Sequence, residues 1–202
     1  MGFNTNIFIN CPFDIDYKPL LKALIFTTLY FKFEPQISIT VSSGHLRIRE
    51  IMRLIENSKY SIHDISRCEP LKQGELPRFN MPYELGIDIG CSHYGNTRQR
   101  TKQSLILEKV KNRYDVVISD ISGQDIKEHN NQPKKLIEKV MEWFAANHAV
   151  PVKVIPGLST VWSKYLDSNA KIEVSLLTAG FTKKEVKNLS IPQYITAMKS
   201  AL

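Results

Sequence analysis

No run of apolar residues in this chain approaches the length that crosses a bilayer, and the longest, Leu20 to Phe33, is broken by Lys22 and Lys32. The opening residues Met1-Gly2-Phe3-Asn4-Thr5-Asn6 lack the basic start and apolar stretch of a signal peptide. Cysteine is scarce: Cys11, Cys68 and Cys91 are odd in number and far apart, without the close pairing of a zinc site or a redox dithiol. They read as reduced packing residues; Cys11 lies at a strand end, but no neighbouring motif supplies a base that would make it a nucleophile. The glycines form no phosphate-binding fingerprint, which disfavours a standard kinase or dehydrogenase. These absences lead to the expectation of a soluble, cytoplasmic protein with no resident cofactor and no metal.

The 202 residues, 43% of them hydrophobic, suffice for one core of ordinary size and a small appendage. The net charge of +7 is uneven: residues 1–95 carry ten basic and ten acidic side chains, residues 96–202 seventeen basic and ten acidic. Its densest part is Arg98, Arg100, Lys102, Lys109, Lys111 and Arg113, which suits an anionic partner. No nucleic-acid reading motif accompanies it, so a solvated basic face is the preferred account and nucleic acid is disfavoured.

Ile7-Phe8-Ile9 reads as a buried strand ended by Asn10-Cys11-Pro12-Phe13-Asp14. A helix follows from about Tyr17 to Phe33, apolar on much of its circumference, and then a second strand over Gln36 to Ser42. Ile48, Ile51, Met52 and Ile55 mark an amphipathic helix, and Tyr60 to Ser66 a third strand. Arg67 to Phe79 is a loop, Ser104 to Leu107 a fourth strand, Val116-Val117-Ile118 a fifth, and Leu136 to Phe144 a helix. This β-α alternation predicts an α/β, flavodoxin-like three-layer sandwich around a mostly parallel five-stranded sheet in residues 1–150. Residues 151–202 form a small helical C-terminal extension docked by Trp162, Tyr165, Leu166 and Phe181.

The most informative stretch is Asn80-Met81-Pro82-Tyr83-Glu84-Leu85-Gly86. Proline suits an early helical position, so Asn80 or Met81 is expected as the cap, with Glu84 in the first turn, ionised under the macrodipole. Gly86 and Gly90 are expected to let this helix lie close to the sheet. In open parallel sheets the ligand crevice lies outside the carboxyl ends of the strands where strand order reverses. There Asn10 to Asp14, His63 to Arg67 and the Glu84 helix converge. Each member also has a plain structural role available: Asp14 and Asp16 as helix caps, Asp64 and Ser66 as turn formers, His63 as a packed histidine, Glu84 as a favourable early acid. Asp125 and His129, four residues apart with Asp120 near, make a weak case for a metal.

The Asn10-Cys11-Pro12-Phe13-Asp14 loop, Asp64 and Tyr83-Glu84-Leu85-Gly86-Ile87 together resemble the nucleoside 2-deoxyribosyltransferase and TIR-like superfamily. The resemblance spans roughly residues 7 to 145. It implies a flavodoxin-like fold and a catalytic glutamate, here Glu84, acting at an anomeric carbon while an N-glycosidic bond breaks. It implies NAD or a related nucleotide as substrate rather than cofactor, and for bacterial TIR-like enzymes a role in antiphage defence or signalling. Asn10, Cys11, Pro12, Phe13, Asp14, Asp64, Ser66, Arg67, Asn80, Met81 and Tyr83 become candidate substrate contacts, with Tyr83 or Asp64 at ribose or leaving group and Arg67 and Arg78 as a pyrophosphate clamp. The family's loop after the second strand has no clear counterpart in the short Ser42-Ser43-Gly44-His45 segment. Assembly of copies, or of a partner protein on the C-terminal helices, is a further expectation. The alternative is a non-catalytic nucleotide-sensing or protein-interaction module.

Overall fold

The structure, a computed structural model, describes residues 2–38, 44–68, 74, 76–110, 118–121 and 123–202, with the backbone alone for 44–46. Five strands, β1 (Asn6–Asn10), β2 (Glu34–Gln36), β3 (Tyr60–Asp64), β4 (Gln103–Glu108) and β5 (Lys127–Glu128), form one sheet in the order β2-β1-β3-β4-β5. Every pairing is parallel, with Ile7 opposite Tyr60 and Tyr60 opposite Gln103. This is the flavodoxin-like order expected from the alternation of strands and helices, and it sets the switch point between β1 and β3.

β1, β3 and β4 are buried along most of their length because helices cover both faces of the sheet, although β3 alternates apolar with polar residues. One face receives α1 (Lys18–Tyr30) and α4 (Pro133–Ala146), the other α2 (Gly44–Glu56) and α3 (Asn80–Tyr94). The main core lies on the α1 and α4 side, where Phe33 stacks on Phe144 at 5.1 Å between ring centroids. Phe8 packs on the other face with Ile51, Leu54 and Ile55 of α2.

The C-terminal extension consists of α5 (Leu158–Thr178), α6 (Lys183–Lys187) and α7 (Ile191–Ala201). It explains the apolar circumference of α1, which buries Leu20, Leu21 and every residue from Ala23 to Leu29. The extension adds an outer layer: Phe26 meets Tyr165 of α5 at 5.2 Å, and Lys22 lies 4.9 Å over the Tyr194 ring of α7. Val161, Tyr165, Ile172, Tyr194 and Met198 belong to the same buried cluster as α1 and α4. The short helices start sharply because Thr182 with Glu185, and Ser190 with Gln193, make reciprocal capping boxes.

Several boundaries differ from expectation. β2 is Glu34–Gln36, starting two residues earlier than expected, and 39–42 lie outside the described residues. The fifth strand beside β4 is Lys127–Glu128, too short and polar to signal itself. Of the expected 116–118 strand, 116 and 117 lie outside the described residues and Ile118 is irregular. Gly86 and Gly90 do not serve close packing, since a Cβ at either position would meet nothing within 4 Å. Glycine there only adds backbone entropy to the unfolded chain. Gly86→Ala with Gly90→Ala is therefore expected to stabilise the fold by about 1 to 2 kcal/mol. A urea titration checks this, and a fall in stability would show that the helix needs glycine after all.

Candidate functional site

α3 begins at Asn80, with Phe79 as an N-cap that makes no side-chain cap bond, so neither Asn80 nor Met81 caps the helix. Glu84 thus lies beyond the first turn, where the macrodipole has largely faded. The inner stripe of α3 is Met81, Glu84, Leu85 and Asp88, which turns two carboxylates towards the protein. Glu84 is 9% exposed, and among the described residues it has no hydrogen-bond partner. Burial pushes its carboxyl up to about 7 against the opposing pull of Arg47. The expectation of a fully ionised Glu84 at neutral pH is corrected accordingly: desolvation outweighs the dipole. Glu84 lines a cleft of about 140 Å³ with Asn80, Tyr83 and, from α2, Arg47, Ile48 and Ile51.

Beside it the expected strand-end segments do converge, and most of their polar groups are engaged. Asn10 Nδ2 donates to the Met81 carbonyl at 2.8 Å and to His63 Nδ1 at 3.0 Å, tying the end of β1 to the start of α3. An amide nitrogen only donates, so His63 Nδ1 accepts and Nε2–H points to Asp88 Oδ2, 3.0 Å away. The same oxygen accepts from Ser61 Oγ at 2.5 Å and Ser104 Oγ at 2.8 Å. Lys102 Nζ lies 2.9 Å from Asp88 Oδ1, an ion pair outside hydrogen-bond alignment, and donates to the carbonyls of Ile55 and Ser58. Burial works against the Asp88 charge, but His63, Lys102 and Ser61 hold its carboxyl well below the usual carboxylate range. A chain of contacts thus runs from Lys102 through Asp88, His63 and Asn10 to the turn that carries Glu84.

Asp64 closes a second buried network. It accepts from Tyr17 Oη at 2.5 Å, Ser66 N at 2.9 Å and Ser66 Oγ at 2.5 Å, and His129 Nε2 lies 2.9 Å away. Burial would raise its carboxyl; the bonds from His129, Ser66 and Tyr17 more than offset that and keep it low. Ser66, His129 and Asp64 are not a nucleophilic triad. Both partners meet the same histidine nitrogen, Nδ1 accepts from Asn131 N, and the serine proton goes to Asp64. Asp64 and Ser66 therefore have a structural role in addition to the contact proposed for them.

Asp14 accepts from Tyr17 N at 3.0 Å in the turn before α1, whose N-cap is Tyr17, so neither Asp14 nor Asp16 caps the helix, and Asp14 receives a two-pronged fork from Arg67 at 3.0 and 3.1 Å. Asp14 is held below its ordinary value because this fork outweighs its partial burial. With its guanidinium occupied and 7% exposed, Arg67 is not free to clamp a phosphate; Arg78, 54% exposed and 3.9 Å from Asp14, faces solvent. Cys11 is buried, and burial together with the charges of Asp64, Glu84 and Asp14 pushes its thiol up, the opposite of nucleophile activation. Phe13 and Tyr83 are exposed at the mouth, Pro12 is buried, and Asp16 is exposed.

Asp125 and His129 share no helix face: Asp125 pairs with Lys127 at 2.7 Å while His129 turns in to Asp64. The basic cluster also disperses. Lys102 is internal, Arg98 stacks 4.7 Å over Phe3, and Lys109 stands at the other end of β4, about 20 Å away. Lys111 and Arg113 lie outside the described residues. The sequence does not mark Asp88, Lys102, Tyr17, Ser61 and Ser104 as site residues, and it offers His129 only for a metal. For Asp88 a signal existed, since it follows Glu84 by four and shares its helix face.

The two larger cavities, of about 610 and 380 Å³, lie among the C-terminal helices and away from these groups, so the site is placed by its unpartnered carboxylate rather than by size. Among the described residues no helix is long and apolar enough to cross a membrane. Compared with known proteins, the chain matches no family model, no curated protein and no solved structure.

Proposed function

We propose that the protein cleaves an N-glycosidic bond of NAD or a related nucleotide, with Glu84 as the catalytic carboxylate. The observation that carries this reading is the Glu84 side chain itself: buried, without a hydrogen-bond donor among the described residues, and lining a cleft between α2 and the start of α3. A carboxylate so placed gains most from a positive charge arriving next to it. Rupture of the bond between the anomeric carbon and a pyridinium or base nitrogen supplies one, because the leaving group takes the electron pair and the ribosyl centre becomes oxocarbenium-like. Glu84 then either holds that cation until water adds at the anomeric carbon and releases a proton, or forms an ester that water opens. The cleft of about 140 Å³ has room for little more than one ring, so the rest of a nucleotide stays outside it. The similarity of the Tyr83-Glu84-Leu85-Gly86 start to TIR-like and deoxyribosyltransferase enzymes supports the same chemistry, and a defence role is the corresponding biological reading.

The test is chromatography of products after incubation with NAD and, separately, with deoxynucleosides. Release of nicotinamide or free base is expected, and with it a pH dependence of kcat/KM. The ionised form is the active one, so the rate falls about tenfold per pH unit below about 7 and levels off above it. A rate that rises into acid would remove Glu84 from this role. Ligand-induced thermal shifts without turnover would replace the enzyme by a nucleotide-sensing module.

A further inference from the structure

We propose that the C-terminal helices bind a single-chain amphiphile with an anionic head, of the class of a medium-chain fatty carboxylate. The groove between α5 and α7, of about 610 Å³, is walled by Ile172, Leu176, Phe181, Leu189, Ala197 and Ala201. Ile172 and Leu189 also wall the cavity of about 380 Å³ that reaches α1 and α6, so the two spaces adjoin across these side chains. The second cavity is lined by Lys22, Lys183 and Lys187 against the single carboxylate of Glu173. A groove with one apolar wall thus stands beside a cationic cavity, and their volumes are those of small-ligand sites.

The cationic end is short of negative charge. Lys22 is driven down by burial first and by Lys18 second, with Glu173 in partial opposition, and its nearest ring is Tyr194. Lys18 already donates to the Lys187 carbonyl at 2.7 Å, which brings a fourth ammonium to the same corner. A carboxylate head relieves this crowding, while its alkyl chain dries the apolar walls.

The site is separate from the Glu84 cleft and does not depend on the proposed activity. Displacement of cis-parinarate from the full chain by decanoate, dodecanoate and tetradecanoate, below micelle formation, tests it. The dissociation constant is expected to fall about fourfold per added methylene until the groove is full. Dodecyltrimethylammonium is expected to bind at least tenfold more weakly than dodecanoate, with that order reversed in Lys183→Glu/Lys187→Glu. Thr196→Trp and Ser200→Trp, two exposed positions on the groove wall, each lose dodecanoate at least tenfold with the circular-dichroism spectrum unchanged, and Glu84→Gln retains it. No displacement, equal affinity for cationic and anionic chains, or full binding by both tryptophan variants overturns the proposal.

Discussion

Glu84→Gln is expected to abolish glycosidic cleavage while making the fold more stable above pH 7. The loss of activity is at least about a hundredfold, because an amide of the same shape offers the developing ribosyl cation no charge. The gain in stability follows from linkage. The folded carboxyl is raised by burial to about 7, whereas the unfolded one stays near its ordinary value of about 4.3. Below about pH 4 the carboxyl is protonated in both states and costs nothing. As pH rises towards 7 the unfolded chain ionises first, and stability falls until the folded group ionises too. Well above pH 7 the accumulated cost approaches about 4 kcal/mol, which glutamine avoids. Thermal melts of both proteins at pH 4 and pH 8 give the check: coincident behaviour in acid and a higher melting temperature for Glu84→Gln in base. A variant that is inactive and also less stable at pH 8 would mean that Glu84 holds the helix rather than acting in the cleft. Such an exchange of stability for function is common where a charge is kept dry to do chemistry.

Asp88→Ala is expected to be among the most destabilising single changes in the chain, at about 3 to 5 kcal/mol. It leaves the Lys102 ammonium fully buried with carbonyls alone for company, and strips an acceptor from His63, Ser61 and Ser104. Lys102→Met has the converse effect, leaving the buried Asp88 carboxylate with His63, Ser61 and Ser104 but no ammonium. The double change Asp88→Ala/Lys102→Met is expected to cost less than the sum of the singles, because it removes both charges together. Urea unfolding of the four proteins closes the cycle, and strict additivity would show that the pair is not coupled. The carboxyl of Asp88 is lowered in the folded state, so its contribution is present above the ordinary carboxylate range and is lost only in stronger acid, through its depressed folded value. A second readout separates positioning from bulk stability. His63→Gln breaks the link from Asp88 to Asn10 and the Met81 carbonyl, so the pH midpoint of kcat/KM set by Glu84 is expected to move while kcat falls. An unmoved midpoint would reduce the chain of contacts to a structural role.

How far the site could be read in advance differs from residue to residue. Glu84 stood out because a proline-started helix follows a loop-ended strand, and the strand order brought Asn10, His63 and Asp64 to its side. That Arg67 serves Asp14, and Lys102 serves Asp88, could not be seen. Those partners are separated by 53 residues and 14 residues in the chain, and nothing local distinguishes an internal cation from a surface one. His129 was read as one half of a weak metal pair because a spacing of four suits a helix, yet it follows a two-residue strand and turns inward.

By itself the sequence determined the alternation of elements, the parallel sheet and the edge at which the polar strand ends gather, since these follow from hydrophobic period and chain direction. Only the tertiary structure decided which charges are solvated and which are internal, and so the ionisation of Glu84. Burial and the placement of neighbouring charges act through space, and a one-dimensional pattern does not contain them.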